Sequence, residues 1–139
     1  MKKLLKSGIA ILLMLTIALT VASCKKADLW NDATYTEDTT LGQGEKTLVV
    51  EVAVDEHLVT FTVKTDKDTV GDALLEQKLI KGEEGQYGLY IKEVNGMYAD
   101  ADKGGYYWAF YIDGEYAMTG VDSTEITEGA VYKLEYARG

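Results

Sequence analysis

Aromatic side chains are concentrated in one stretch of the chain, from Tyr87 to Met118. This stretch contains one of the two tryptophans and seven of the ten tyrosines, namely Trp108 with Tyr87, Tyr90, Tyr98, Tyr106, Tyr107, Tyr111 and Tyr116. Aromatic rings offer a large contact area with few rotatable bonds, and tyrosine adds a polar tip, so this composition suits a surface that binds a flat ligand. Because aromatic residues also favour strands, the same rings could instead bury one face of a sheet.

Carboxylates are the other abundant reactive groups, and they fall in predicted loops and turns. General acid–base catalysis needs two carboxyl groups held close together in unlike environments, whereas carboxylates in polar loops are ordinarily solvated. The loop at residues 95–102 offers oxygen ligands, but its spacing does not fit an EF-hand calcium loop. The carboxylates concerned are Asp100, Asp102, Asp113, Glu115, Asp122, Glu125 and Glu128. We therefore expect no enzymatic activity, no catalytic residue and no metal site.

The chain has one cysteine, Cys24, and one histidine, His57. A single cysteine excludes an internal disulfide and a multi-cysteine metal site. A single histidine makes a histidine zinc site or a Ser-His-Asp triad hard to assemble. His57 lies beside a predicted hairpin turn and matches no motif, so we interpret it as an exposed turn residue. The formal net charge of -9 argues against a nucleic-acid partner, because phosphate binding needs a basic face.

Residues 1–23 are predicted to be a lipoprotein signal peptide. A basic start precedes an apolar run at residues 9–22, which is too short to span a bilayer as a helix and fits a secretory signal peptide. The run ends in Val21-Ala22-Ser23-Cys24, which resembles the bacterial lipobox. That resemblance implies that Cys24 becomes the lipid-modified first residue of the mature protein. Acyl chains would then hold it at the extracytoplasmic face of a bacterial cell membrane.

Two segments are predicted to follow the signal peptide. Residues 24–45 are polar, rich in Thr, Asp and Glu, and show no hydrophobic period, so we expect a lipidated, disordered tether. Residues 46–139 are expected to form one globular domain, which is as many as this length allows.

Hydrophobic patterns within residues 46–139 predict two strands, then a helix, then further strands. Residues 48–54 and 58–63 alternate apolar and polar side chains, as expected for a hairpin. Thr69 is predicted to cap a helix that ends near Gly82. The later strands are predicted at residues 87–94, 106–112, 116–118 and 130–136. Because a sheet that curls around one helix can bury its apolar face, we predict an α+β fold, a β-grasp-like mixed sheet packed on a single helix.

Five short motifs resemble those of one family, in the same order. They are Thr69-Val70-Gly71-Asp72-Ala73-Leu74, Tyr87-Gly88-Leu89-Tyr90-Ile91, Val94-Asn95-Gly96, Tyr107-Trp108, and Gly129 before the last strand. The pattern is similar to the C-terminal β-domain of the cobalamin carriers transcobalamin and intrinsic factor, which also occurs alone in bacterial lipoproteins. The resemblance covers nearly all of residues 46–139 and implies a cobalamin-binding domain.

The resemblance also implies which residues contact the ligand. In the carriers, cobalamin lies between a helical domain and this β-domain, whose contacts come from the two aromatic segments and the loop after the second. The implied ligand-binding residues are Gln86, Tyr87, Gly88, Leu89, Tyr90, Tyr107, Trp108, Ala109, Phe110 and Ala117. We expect Trp108 and its tyrosine neighbours to point outward and cover apolar edges of the ligand. Strand ends would present backbone groups to its amide side chains.

The function that these expectations favour is capture of cobalamin or a related corrinoid by a membrane-anchored extracellular lipoprotein, for uptake. Cobalamin would be a bound ligand, and no catalytic cofactor is expected. These residues do not include the carriers' helical domain, so a vitamin transporter or a second binding domain is a candidate partner that completes the site. The alternative is a protein-interaction or cell-surface adhesion module that uses the same aromatic sheet face. A purely structural domain would bury every aromatic ring and bind no ligand.

Overall fold

The structure is a computed structural model and describes residues 28–139 of the chain. The predicted signal peptide and the predicted lipidation site Cys24 lie outside the described residues. In the part of the chain that is described, none of the helices has the length and apolar character needed to cross a membrane.

Between residues 28 and 139 the chain forms nine strands, one short α-helix and two 3₁₀ helices. The strands are β1 (Thr39–Gly42), β2 (Lys46–Val54), β3 (His57–Thr65), β4 (Ile80–Gly85), β5 (Gly88–Val94), β6 (Met97–Tyr98), β7 (Tyr106–Ile112), β8 (Glu115–Tyr116) and β9 (Val131–Arg138). The helices are η1 (Leu29–Asp32), α1 (Val70–Glu76) and η2 (Val121–Ser123).

The strands form two sheets, and the apolar core lies between them. The large sheet has the order β1-β3-β2-β9-β7-β8, and the small sheet has the order β4-β5-β6. β2 and β3 form the predicted hairpin, in which Lys46 is opposite Thr65 and Val54 is opposite His57. β9 pairs in parallel with β2 and antiparallel with β7. This order places β7 near one lateral edge of the large sheet, where only the two-residue β8 follows it.

The predicted α+β fold, a β-grasp-like mixed sheet packed on a single helix, is wrong. The fold is mostly β-sheet, and α1 has only seven residues. The predicted cap is present, because the Thr69 hydroxyl accepts a hydrogen bond from the Asp72 backbone N–H at 3.2 Å. However, Lys78 adopts a left-handed conformation with φ 57°, and the chain turns into β4 at Ile80. Five of the six β4 residues are exposed, so no alternation of apolar residues marked this strand in the sequence.

The predicted disordered tether is also wrong for the part of it that is described, residues 28–45. β1 pairs in parallel with β3. Trp30 in η1 stacks on His57 with ring centroids 4.6 Å apart and an angle of 1° between the rings. His57 is therefore half-buried and not the exposed turn residue that we expected. The prediction failed because a few aromatic contacts and one edge strand order this segment, and neither needs a hydrophobic period.

Asn95 connects this N-terminal segment to the small sheet. It lies in the turn between β5 and β6, is 1% exposed, and has a left-handed φ of 52°. Its side-chain oxygen accepts a hydrogen bond from the Tyr35 backbone N–H at 2.9 Å, and its side-chain nitrogen donates to the Tyr35 carbonyl at 2.9 Å. Tyr35 in turn packs edge-on against Phe61 of β3. The Asn95 amide thus holds the N-terminal segment against both sheets.

Replacing Asn95 by alanine is expected to lower the free energy of unfolding by about 2–4 kcal/mol. The variant leaves the partly buried N–H and C=O of Tyr35 without their side-chain partners. It also places alanine, which has no polar side chain, in a left-handed conformation. Urea denaturation of the soluble chain measures the loss. Asn31→Ala, at an exposed position in η1, is the matched control and should change the free energy by less than about 0.5 kcal/mol. Equal losses in the two variants would contradict the bridging role of Asn95.

Candidate functional site

A cleft lies between the two sheets, where β5 of the small sheet approaches the outer edge of β7. We call it the β5–β7 cleft, and its volume is about 220 Å³. Its lining residues come from β5, β7, β8 and the segment after β8, namely Leu89, Tyr90, Ile91, Tyr107, Trp108, Phe110, Tyr116, Ala117, Thr119, Gly120 and Val121. None of these side chains carries a formal charge at neutral pH, so the cleft suits an uncharged ligand group.

The structure brings six of the ten implied ligand-binding residues together in this cleft. They are Leu89, Tyr90, Tyr107, Trp108, Phe110 and Ala117. The other four lie elsewhere. Gln86 and Tyr87 form the tip of the β4–β5 hairpin, where Tyr87 is 91% exposed. Gly88 lies against Asp122, and Ala109 is buried on the opposite side of β7 from Trp108.

Trp108 does not point outward, so that expectation is wrong. Its side chain is 6% exposed and lies with Phe110 on the inner face of the large sheet, as part of the core. Residues two apart in a strand share a face, so Trp108 lies on the same buried face of β7 as Phe110. The exposed aromatic rim of the cleft consists of Tyr90 at 45% and Tyr116 at 57%. Trp108 forms an inner wall of the cleft instead of its rim.

The indole N–H of Trp108 is buried and has no hydrogen-bond partner within residues 28–139. An unpaired buried donor destabilises a fold by roughly 1–3 kcal/mol, and such groups are uncommon in native proteins. Here the donor belongs to a residue that lines a cleft. A ligand acceptor that reached this N–H would remove the cost.

The outer edge of β7 supplies further unpaired groups beside Trp108. β8 pairs only with Tyr111 and Ile112, and the last hydrogen bond on this edge runs from the Ala117 N–H to the Phe110 carbonyl at 2.9 Å. Backbone groups along a strand point alternately to its two edges, so those of Trp108 point to the same edge as those of Phe110. β9 occupies the other edge. Among the described strands none pairs with this edge beyond Phe110, so the Trp108 N–H and C=O point to an unpaired edge of a strand that lines the cleft.

Asp122 contacts β5, which forms the wall of the cleft opposite β7. Its Oδ2 accepts a hydrogen bond from the Leu89 backbone N–H at 3.2 Å, and its other oxygen is buried without a partner in the described part of the chain. Gly88 has φ 104°, and a β-carbon at this position would lie 2.8 Å from Asp122 Oδ2. Only glycine therefore allows the carboxylate of η2 to approach β5 this closely. We had interpreted Asp122 as a solvated loop residue, and no local pattern could have indicated this contact across the fold.

Partial burial raises the pKa of Tyr116 above its ordinary value, and the neighbouring phenols of Tyr107 and Tyr111 contribute to the rise. The phenol is therefore neutral at physiological pH and can donate or accept a hydrogen bond at the rim. Sequence reasoning placed Tyr116 in the aromatic stretch but not in the site. The remaining lining residues that it missed are Ile91, Thr119, Gly120 and Val121. Their approach depends on long-range packing, which no motif records.

A second, acidic cleft lies on the small sheet and shares Tyr90 with the first. Its volume is about 320 Å³, and its wall includes Glu83, Glu84, Lys92, Tyr98, Asp100 and Asp102. The hydrogen bond and charge of Glu83, at 3.3 Å, raise the pKa of Lys92. Within residues 28–139, no group of three or more histidine, cysteine or carboxylate side chains is arranged to hold a metal ion. The β5–β7 cleft combines aromatic walls with unpaired polar groups, so it is the stronger candidate site.

The chain thus has the features of a small, two-sheet β-domain with an uncharged aromatic cleft. A family model described as a domain of unknown function, DUF4430, matches residues 67–137. This is more than half of the chain, which therefore belongs to the DUF4430 family. The predicted membership of the transcobalamin-type family is not confirmed. No curated protein matches the chain.

Two solved structures are similar to this chain. One is the 1.30 Å crystal structure of a "putative metal binding protein" from Ruminococcus gnavus ATCC 29149, which is 31% identical with a TM-score of 0.63. That match covers 68% of this chain and 99% of the other. The second is haptocorrin in complex with Cbi, which is 20% identical with a TM-score of 0.48. It covers 70% of this chain but only 27% of haptocorrin, so this chain spans about a quarter of that protein.

Proposed function

We propose that this protein is a binding protein, not an enzyme, and that it captures cobalamin or a related corrinoid in the β5–β7 cleft. The observation that carries the proposal is the set of unpaired polar groups of Trp108, its indole N–H and its backbone N–H and C=O, in an uncharged aromatic cleft. Buried polar groups are normally satisfied, so their concentration in one concave site favours a ligand that satisfies them. The sequence motifs that resemble the cobalamin carriers support a corrinoid as that ligand.

The size of the cleft decides how a corrinoid would bind. A volume of about 220 Å³ is below the roughly 300–1,000 Å³ of sites that enclose a drug-sized ligand. The cleft would therefore accept one amide side chain of the ligand, and the ring system would lie across the rim. Tyr90 and Tyr116 are exposed there and offer aromatic contact area. This arrangement leaves one face of the ligand open to a transporter or a second binding domain.

We also propose that the protein is a lipoprotein, attached through Cys24 to the extracytoplasmic face of a bacterial membrane. The lipobox-like Val21-Ala22-Ser23-Cys24 supports this location. Asp28, which caps η1 by accepting a hydrogen bond from the Trp30 N–H, follows Cys24 by only four residues. Four residues span at most about 14 Å, so the domain would be held directly at the membrane surface and not on a long tether.

The unpaired edge of β7 also favours a second candidate function, the binding of an extended polypeptide. A peptide strand could continue the pairing that β8 leaves incomplete after Ala117, in the manner of strand addition. This is the protein-interaction alternative, and it uses the same site.

Titration calorimetry of the soluble chain, residues 25–139, with cyanocobalamin tests the main proposal. We expect saturable binding at micromolar ligand. Tyr90→Ala should weaken it by about 5- to 10-fold, the loss expected for one aromatic contact of roughly 1–1.4 kcal/mol. Tyr98→Ala is the matched control, because Tyr98 is 50% exposed and lines the acidic cleft but not the β5–β7 cleft.

Three results would count against the proposal. No heat of binding up to millimolar cyanocobalamin would exclude a corrinoid and favour the peptide alternative. A loss of affinity in Tyr98→Ala, whatever the effect of Tyr90→Ala, would place the ligand in the acidic cleft, because Tyr90 lines both clefts and Tyr98 does not line the β5–β7 cleft. For the anchor, Cys24→Ala should release the full-length protein from membranes, and retention in the membrane fraction would contradict lipidation.

A further inference from the structure

We infer that the β5–β7 cleft recognises a carboxamide group and discriminates against a carboxylate. This inference deepens the proposed function, because it states which part of the ligand enters the cleft. It rests on the unpaired groups of Trp108 and on the charges around the cleft.

The cleft offers both a donor pair and an acceptor to one ligand group. The Trp108 backbone N–H and C=O point to the unpaired edge of β7, and the indole N–H of the same residue is buried without a partner. A carboxamide carries an acceptor oxygen and an N–H donor a short distance apart. It can accept from an N–H of Trp108 and donate to the Trp108 carbonyl at the same time. A carboxylate can accept but cannot donate, and would leave that carbonyl facing an anion.

The charges near the cleft act in the same direction. No basic side chain lines the cleft, so a carboxylate that entered it would lose its hydration without gaining an ion pair. The Asp122 carboxylate contacts the β5 wall, where it accepts a hydrogen bond from the Leu89 N–H, and its other oxygen is buried without a partner among the described residues. The net charge of the whole chain, -9, adds a long-range repulsion. A neutral amide meets none of these penalties.

The indole N–H is closed off from solvent in the unliganded chain. The rim residues Tyr90 and Tyr116 are exposed, and side-chain rotamer changes at a binding site are common. The backbone groups of Trp108 need no such change. We therefore expect the amide to engage the β7 edge first and the indole N–H once the cleft is filled.

The test uses propionamide and propionate as probes of matched size and follows the backbone and indole signals of Trp108 in ¹⁵N NMR spectra of residues 25–139. Propionamide should shift these signals, with an affinity at least about tenfold higher than that of propionate, since an unpaired buried polar group costs roughly 1–3 kcal/mol. Trp30, which lies on His57 outside the cleft, is the internal control and should not respond. Spectra with an N-acetyl-asparagine peptide and with cyanocobalamin then distinguish a peptide amide from a corrinoid amide.

The outcomes separate this inference from the corrinoid proposal. Equal responses to propionamide and propionate, or none to either, would overturn the inference even if cyanocobalamin bound. A selective response to propionamide without any cyanocobalamin binding would support the inference and overturn the corrinoid proposal. Trp108→Phe removes the indole signal. If the backbone signals of residue 108 still respond to propionamide and not to propionate, the β7 edge alone discriminates between the two probes. If this discrimination falls, the indole N–H contributes to it.

Discussion

Replacing Trp108 by phenylalanine is expected to weaken cyanocobalamin binding by about tenfold while the domain stays folded. Phenylalanine keeps an aromatic ring in the core but removes the indole N–H, and the loss of one hydrogen bond from a buried site costs roughly 1.4 kcal/mol. The fold itself loses no hydrogen bond, because this N–H has no partner in the unliganded chain. Calorimetry gives the affinity, and urea denaturation confirms that the variant is folded at the titration temperature.

Trp30→Phe is the matched control for this experiment. Trp30 is the other tryptophan of the chain, and it stacks on His57 and does not line the cleft. Its replacement should leave the affinity unchanged. Equal affinities of the wild-type and Trp108→Phe proteins would show that the indole N–H does not bind the ligand.

Replacing Gly88 by alanine is expected to lower the free energy of unfolding by about 3 kcal/mol or more, and to weaken ligand binding as well. The new β-carbon would lie 2.8 Å and 2.9 Å from the two oxygens of Asp122, so the Asp122 carboxylate must rotate away or β5 and η2 must shift apart. The left-handed φ of 104° adds backbone strain of roughly 1–3 kcal/mol to the cost of the overpacked contact. Movement of β5 would break the hydrogen bond from Leu89 to Asp122 and displace one wall of the cleft.

Gly114→Ala separates the contact from the backbone strain. Gly114 also has a positive φ, 85°, but no atom lies within 4 Å of a β-carbon at this position. This variant should lose only about 1–2 kcal/mol, from strain alone, and should keep its affinity for cyanocobalamin. If both variants lose the same free energy of unfolding, the contact between Gly88 and Asp122 does not constrain the fold.

The sequence was most informative where one local pattern determines the structure. Alternating side chains identified the β2–β3 hairpin, and the Thr69 hydroxyl was recognisable as a helix cap. The pattern did not show that β4 extends the chain after α1, because the exposed side chains of β4 carry no hydrophobic period. A second sheet therefore took the place that we had assigned to a longer helix.

The site could be predicted in part for the same reason. The aromatic segments of the sequence identified six residues that line the cleft, but the direction of each side chain depends on the strand register. The pairing of Phe110 with Leu134 of β9 turns Trp108 inward, and this pairing joins residues far apart in the chain. The contact of Asp122 with Leu89 and the unpaired edge of β7 likewise depend on how the two sheets meet. Neither has a local signature in the sequence.

The most direct test of the central claim is a ¹⁵N NMR titration of residues 25–139 with cyanocobalamin that follows the two indole N–H signals. The chain has two tryptophans, so Trp108→Phe assigns both signals. We predict that the Trp108 signal moves as the ligand satisfies its unpaired N–H, while the Trp30 signal stays in place. A Trp108 signal that stays fixed at saturating cyanocobalamin, or a shift confined to Trp30, would contradict a ligand site in the β5–β7 cleft.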